Sequence, residues 1–134
     1  MADIKLPVII HGLTGRMGQI ALRALQTIAS EGWSKLDGDV IKPVPIAVGR
    51  NLEKLQAVAK QKGCEHCFAD VQEAYAFACR INPDHQLYHN TLSTGIRKEQ
   101  MLQVLPLLNS ATTAVYSEKP LAGNYADGLA IVQA

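Results

Sequence analysis

The stretch His11-Gly12-Leu13-Thr14-Gly15-Arg16-Met17-Gly18 decides how this chain reads. An apolar run, Leu6 to Ile10, leads into it, and an amphipathic pattern leaves it, so its glycines stand between a buried strand and a helix start. Glycine turns the backbone tightly at positive φ and lets a pyrophosphate approach the main chain closely. A helix N-terminus adds free N–H groups and the positive end of its dipole. The stretch reads as a phosphate cradle, with Gly12, Thr14, Gly15, Arg16 and Met17 as candidate contacts. Its spacing is G-x-x-G-x-x-G, looser than the stricter G-x-G-x-x-G.

Outward from the loop, strand and helix patterns alternate. Met17, Ile20, Ala21, Ala24, Leu25 and Ile28 recur on one helical face. Ser30 to Val40 reads as a loop, with Trp33 pinning it to the core. A second strand is expected over Val44 to Val48, entered through Pro43 and Pro45. Asn51 is placed to cap the next helix and Gly63 to stop it. A short strand around His66 to Phe68 follows, then a helix opened by Asp70 in a capping-box pattern with Glu73. Gln86 to Leu92 and Ala111 to Tyr116 read as strands, separated by a helix from Arg97 to Leu108 with Met101, Leu102, Leu105 and Leu108 on one side. Asn124 opens a last helix that runs to Ala134. This order predicts an α/β fold, a doubly wound parallel sheet of the Rossmann dinucleotide-binding type with about five to six strands.

Composition limits the function classes. The 134 residues suffice for one domain with its own core. A formal net charge of +1 gives no reason to expect nucleic acid or an anionic membrane as partner. Neither an 18-residue apolar run nor a secretory leader is visible, which predicts a soluble, cytoplasmic protein. Cys64, Cys67 and Cys79 make no disulfide framework, and the single C-x-x-C lacks the second knuckle of a structural zinc site. No metal is expected.

Two further motifs specify the chemistry. At the end of the second strand, where an acid would hold a free ribose 2′-hydroxyl, the chain has Gly49-Arg50-Asn51. A guanidinium grips a 2′-phosphate with two hydrogen bonds, and Arg16 adds a second cation, so NADP is expected over NAD. Glu118-Lys119-Pro120 follows the last strand, at the sheet edge where ligands of such folds bind. Lys119 could hydrogen-bond a substrate hydroxyl or polarise a carbonyl with Glu118 orienting it, and proline would fix the backbone there, as a cis or a trans bond. Taken alone, the tripeptide reads more readily as a surface turn.

In order along the chain, these motifs resemble the glucose–fructose oxidoreductase, inositol dehydrogenase and rhizopine-catabolism (Gfo/Idh/MocA) family. The resemblance runs through Val8 to Gly18, Ala47 to Lys54, Cys67 to Ala74, Leu87 to Thr91 and Glu118 to Ala122. It implies the N-terminal cofactor domain of an NAD(P)-dependent oxidoreductase, ending before a C-terminal substrate domain that makes the oligomer contacts of a homo-oligomer. It also implies that Lys119 is catalytic, at the nicotinamide and a small sugar- or polyol-like substrate. Glu118, Thr91 and Leu92 would share the cofactor pocket, although Leu92-Ser93 stands where the family has Pro-Pro or Pro-Asn. A dihydrodipicolinate reductase also uses a Gly-x-x-Gly-Arg-Met-Gly loop, but the Glu-Lys-Pro stretch and Gly49 to Lys54 speak against it. A non-catalytic NADP sensor is the reading from another class.

Overall fold

Ile9 and Ile10 are both fully enclosed although they point to opposite faces of one strand. That requires a sheet covered on both sides, and the computed structural model shows one; it describes residues 3–34 and 37–134. In chain order the elements are β1 (Asp3–His11), α1 (Arg16–Glu31), β2 (Trp33–Ser34), β3 (Val40–Val48), α2 (Leu52–Lys62) and β4 (His66–Phe68). Then come α3 (Val71–Ile81), β5 (Gln86–Asn90), α4 (Thr94–Val104), a single 3₁₀ turn (Leu105–Leu107), β6 (Thr113–Ser117) and α5 (Tyr125–Gln133). Five strands run parallel in the order β4-β3-β1-β5-β6, and β2 adds a two-residue antiparallel pairing to β3.

The sheet divides the core in two. Ile10, Leu13 and Ala47 pack with Leu22 of α1 and Leu55 and Ala59 of α2. On the opposite face Ile9, Ile46, Val48 and Tyr88 pack with Ala74 and Ala78 of α3, Met101 and Val104 of α4, and Ile131 of α5. This is the doubly wound, Rossmann-like α/β arrangement predicted from the sequence. From β1 the chain winds to β3 on one side and later returns to β5 on the other. The order therefore reverses between β1 and β5, the position at which such sheets open a crevice beyond their carboxyl ends.

Several local expectations hold. Asn51 Oδ1 accepts from Lys54 N–H at 3.1 Å and caps α2, and Gly63 ends that helix in the left-handed region at φ 78°. Asp70 Oδ1 accepts from Gln72 N–H at 2.9 Å and caps α3, without a reach-back bond from Glu73.

Other expectations need correction. The second long strand begins at Val40 rather than Val44 and carries Pro43 and Pro45 within it. Val48 O accepts from Gly12 N–H, so alternate residues of β3 turn their main chain toward β1, and both prolines face the other edge. There β2 pairs only with Val40 and Ile41, and β4 begins only at Ile46, so the missing proline donors fall in a gap. Trp33 does not pin a loop: it lies in β2 with 61% of its surface exposed, while Lys35 and Leu36 of the expected loop lie outside the described residues. On α1 the packed face is Gly18 and Leu22 with Leu25 alongside, and Met17 and Ile20 are exposed. The helical period was right and its phase was off, because contact with the sheet selects small Gly18 instead of the bulkier Met17. Helix α4 starts at Thr94, and Arg97 takes a place on its buried stripe beside Met101 and Val104, while Leu102 turns outward.

Gly18 sets how closely α1 seats on the end of β1. A Cβ there would lie 2.2 Å from Gly12 O and 2.8 Å from Leu13 Cα. Gly18→Ala is expected to cost about 3 kcal/mol of stability, read as a lower midpoint in urea denaturation, whereas Gly95→Ala, with nothing within 4 Å, is expected to leave the midpoint unchanged or raise it.

Candidate functional site

The glycine stretch turns from β1 into α1 in four residues. Gly12 has φ 112°, and Gly15 N–H donates to Gly12 O at 3.1 Å to close the turn. A Cβ on Gly12 would lie 2.7 Å from Thr91 Oγ1, so this glycine is required by both conformation and space. Gly15 differs: a Cβ there would meet only Gly12 O, at 3.5 Å. It is the N-cap of α1 and has no side chain to bond the first-turn amides. Those N–H groups are left without a side-chain acceptor, as an anion site needs. The first and third glycines thus serve the turn and the helix packing, and the middle one leaves the approach open. A diphosphate fits this cradle by its donor set and by the space that Gly15 leaves.

Beside the loop, two adjoining cavities cross the carboxyl ends of β1, β3 and β4. One, of about 210 Å³, is lined by Gly12, Thr14, Gly49, Arg50 and Leu92 among others. The other, of about 290 Å³, lies between Ala69-Asp70-Val71 and Gln103-Val104-Leu107. His11, Arg50 and Gln100 line both. The structure brings Gly12, Thr14, Gly49 and Arg50 together on the first cavity. Arg16 and Met17 sit on the exposed first turn of α1, and Asn51 uses its side chain to cap α2. Thr91 donates its hydroxyl to His11 O at 3.0 Å and to Gly12 O at 3.2 Å, so it ties the turn to β5.

Beneath the cavities runs a buried polar row that sequence reasoning missed. His11 Nδ1 lies 2.7 Å from Tyr88 Oη, Asn90 Nδ2 donates to Tyr88 Oη at 3.2 Å, and Leu92 N–H donates to Asn90 Oδ1 at 3.0 Å. Burial, with Arg50 nearby, lowers the His11 pKa to about 4, so its imidazole is neutral at pH 7. The sequence signal was a histidine and an asparagine closing two neighbouring strands at the same level.

The Glu118-Lys119-Pro120 segment lies at the carboxyl end of β6, joined to β5 by Glu118 N–H donating to Asn90 O at 3.1 Å. The Lys119–Pro120 peptide is cis. The Glu118 carboxylate is engaged by His89 Nε2 at 3.1 Å, with both side chains mostly buried and Tyr116 stacked edge-on against the His89 ring. Lys119 is exposed, without an ion pair among the described residues, and lines neither cavity. Arg97 holds the segment from below: its guanidinium donates to Glu118 O, Pro120 O and, at 2.5 Å, Leu92 O. Burial lowers the Arg97 pKa, an effect that Glu118 partly offsets. Among the described residues no three His, Cys, Asp or Glu side chains gather as a metal site. Among the described residues no helix is long and apolar enough to cross a membrane.

This fold recurs in two dehydrogenases of known structure. A crystal structure of the WlbA dehydrogenase from Bordetella pertussis, in complex with NADH and UDP-GlcNAcA, matches with a TM-score of 0.67 at 22% identity, over 99% of this chain and 34% of that one. The glucose-6-phosphate 1-dehydrogenase from Mycobacterium avium matches with a TM-score of 0.59 at 14% identity, over 95% of this chain and 32% of that one. The chain spans about one third of the length of each, and at these identities the likeness is one of fold. No family model matches the sequence, and a search of curated proteins finds no match.

Two outcomes follow from the buried groups. The folded His11 pKa of about 4 lies below the unfolded 6.5, so the unfolded chain binds the extra proton as pH falls. His11 therefore removes stability between pH 6.5 and about 4, by up to about 3 kcal/mol, and His11→Gln is expected to flatten that part of the urea-denaturation pH profile. Arg97→Leu strands three carbonyls and is expected to cost about 3 kcal/mol, with Arg97→Lys recovering only part of the loss in thermal melts.

Proposed function

We propose that this chain is the cofactor domain of an NADP-dependent oxidoreductase. The enzyme would move a hydride to or from a hydroxyl- or carbonyl-bearing carbon of a small, sugar- or polyol-like substrate. The observation that carries the reading is the uncapped N-terminus of α1 next to a crevice that the glycine turn and Arg50 both line. The parallel sheet reverses its order beside this point, and two dehydrogenases share the fold.

In this reading the amides of the first α1 turn hold the diphosphate, and Gly15 lets it come close. Arg50, where an acid would favour a free 2′-hydroxyl, grips the 2′-phosphate. The nicotinamide, when bound, supplies the two-electron chemistry, and the protein supplies position and electrostatics. Lys119 donates a hydrogen bond to the substrate oxygen and steadies the charge that develops there. Glu118, engaged with His89, and Arg97, bound to the carbonyls on either side of Lys119, hold that lysine's backbone in place. Thr91 and Leu92 border the nicotinamide side. A further domain beyond this chain would supply the remaining substrate contacts and the interface of a homo-oligomer in the cytoplasm.

Fluorescence titration tests the cofactor. NADPH is expected to bind more tightly than NADH, and Arg50→Ala to weaken NADPH at least about tenfold while leaving NADH nearly unchanged. Tighter binding of NADH by the unmodified chain would refute the NADP assignment. In the full-length enzyme Lys119→Met is expected to lower turnover about a hundredfold or more with cofactor affinity kept; equal losses in both would remove Lys119 from the chemistry.

A further inference from the structure

Four hydrogen-bonding groups in series fix which way one proton faces at the cavity wall. Leu92 N–H can only donate, so the Asn90 atom bonded to it is the carbonyl oxygen, and the other end of that side chain is its NH2. The NH2 donates to Tyr88 Oη. Tyr88 therefore accepts from Asn90 and directs its own hydrogen to its remaining neighbour, His11 Nδ1. Burial raises the Tyr88 pKa, so the phenol keeps that hydrogen. Nδ1 is the acceptor, and the hydrogen of the neutral imidazole sits on Nε2.

Nε2 has no hydrogen-bond partner among the described residues, although His11 is only 4% exposed. It is not sealed in, because the one fully enclosed side-chain nitrogen or oxygen without a partner among the described residues is Arg97 Nε. Nε2–H thus reaches the cavities that His11 lines. His11 belongs to the wall shared by the cavity at the glycine turn and the cavity between Asp70 and Gln103. A ligand with its phosphates on the turn and its base in the second cavity carries its connecting sugar past this wall.

We propose that His11 is a cofactor-binding residue whose Nε2–H donates to an oxygen of the adenosine ribose; the assignment rests on the dinucleotide reading above. It divides the work at the wall between two kinds of group. Arg50 answers the 2′-phosphate by charge, whereas His11 is a neutral donor that addresses sugar oxygens present in NADPH and NADH alike. The Tyr88–Asn90 pair is the positioning element that keeps the donor aimed.

His11→Phe is accordingly expected to weaken NADPH and NADH by the same factor, about tenfold. His11→Gln keeps an acceptor for Tyr88 and an NH2 for the cavity, and is expected to stay within about threefold of the unmodified chain. A loss confined to NADPH, or no loss with His11→Phe, overturns the proposal. Nitrogen-15 NMR of the imidazoles in the unmodified 134-residue chain makes the test independent of how the variants fold. The Nε2–H tautomer is expected at pH 7, and its signal is expected to move with the Gly12 and Gly15 amides on addition of NADPH. The Nδ1–H tautomer, or glycine amides that move while the His11 ring stays unchanged, overturns the His11 assignment and leaves the dinucleotide reading standing. If neither the glycine amides nor the ring responds to NADPH or NADH, both fall together.

Discussion

The approach of Gly18 to the carbonyl of Gly12 is the contact on which the rest of this structure depends. It seats the first turn of α1 directly on the end of β1, closer than any side chain would permit. Seated there, the helix begins beside the carboxyl ends of the parallel strands, with no side chain capping its first-turn amides. Thr91 fastens the same turn from the β5 side, through bonds to the oxygens of His11 and Gly12. The turn is therefore held from the helix above and from the neighbouring strand, with Gly15 left clear between the two restraints.

The buried polar groups beneath the cleft do a second job. His11, Tyr88, Asn90 and Arg97 each bond to main chain or to another member of the group. Partnered in this way, buried polar side chains contribute rigidity and direction more than net stability. Together they link the end of β1, the loop after β5 and the segment around Lys119. Three pieces of backbone far apart in sequence are thereby held in one relation.

Much of this was legible in the sequence, and what was missed has a physical pattern. The sheet class, the glycine turn, the Asn51 and Asp70 caps and the Gly63 stop follow from local chemistry that acts over three or four residues. The outward turn of Met17 and Ile20 does not, because the rotation of α1 is chosen by what it touches on the sheet. The start of β3 was misjudged because a proline disfavours a strand only where its missing donor is needed. Arg97 was overlooked even though it keeps the period of Met101 and Val104, since a cation on a buried stripe makes sense only once the carbonyls of Leu92, Glu118 and Pro120 are seen to converge on it. The pairing of Glu118 with His89 likewise joins residues that only the β5–β6 register brings near, His89 standing opposite Tyr116, two residues before Glu118.

Pro43 and Pro45 give the two margins of the sheet unequal character. Along the gap between β2 and β4 they remove the donors that a stray strand would need, and this margin resists growth of the sheet. At the other margin β6 has no outer partner among the described residues, contains no proline and exposes Val115 and Tyr116. β6 thus offers an open, proline-free edge to any chain that joins this sheet by strand addition. A single proline or lysine on β6 would close that edge to strand addition.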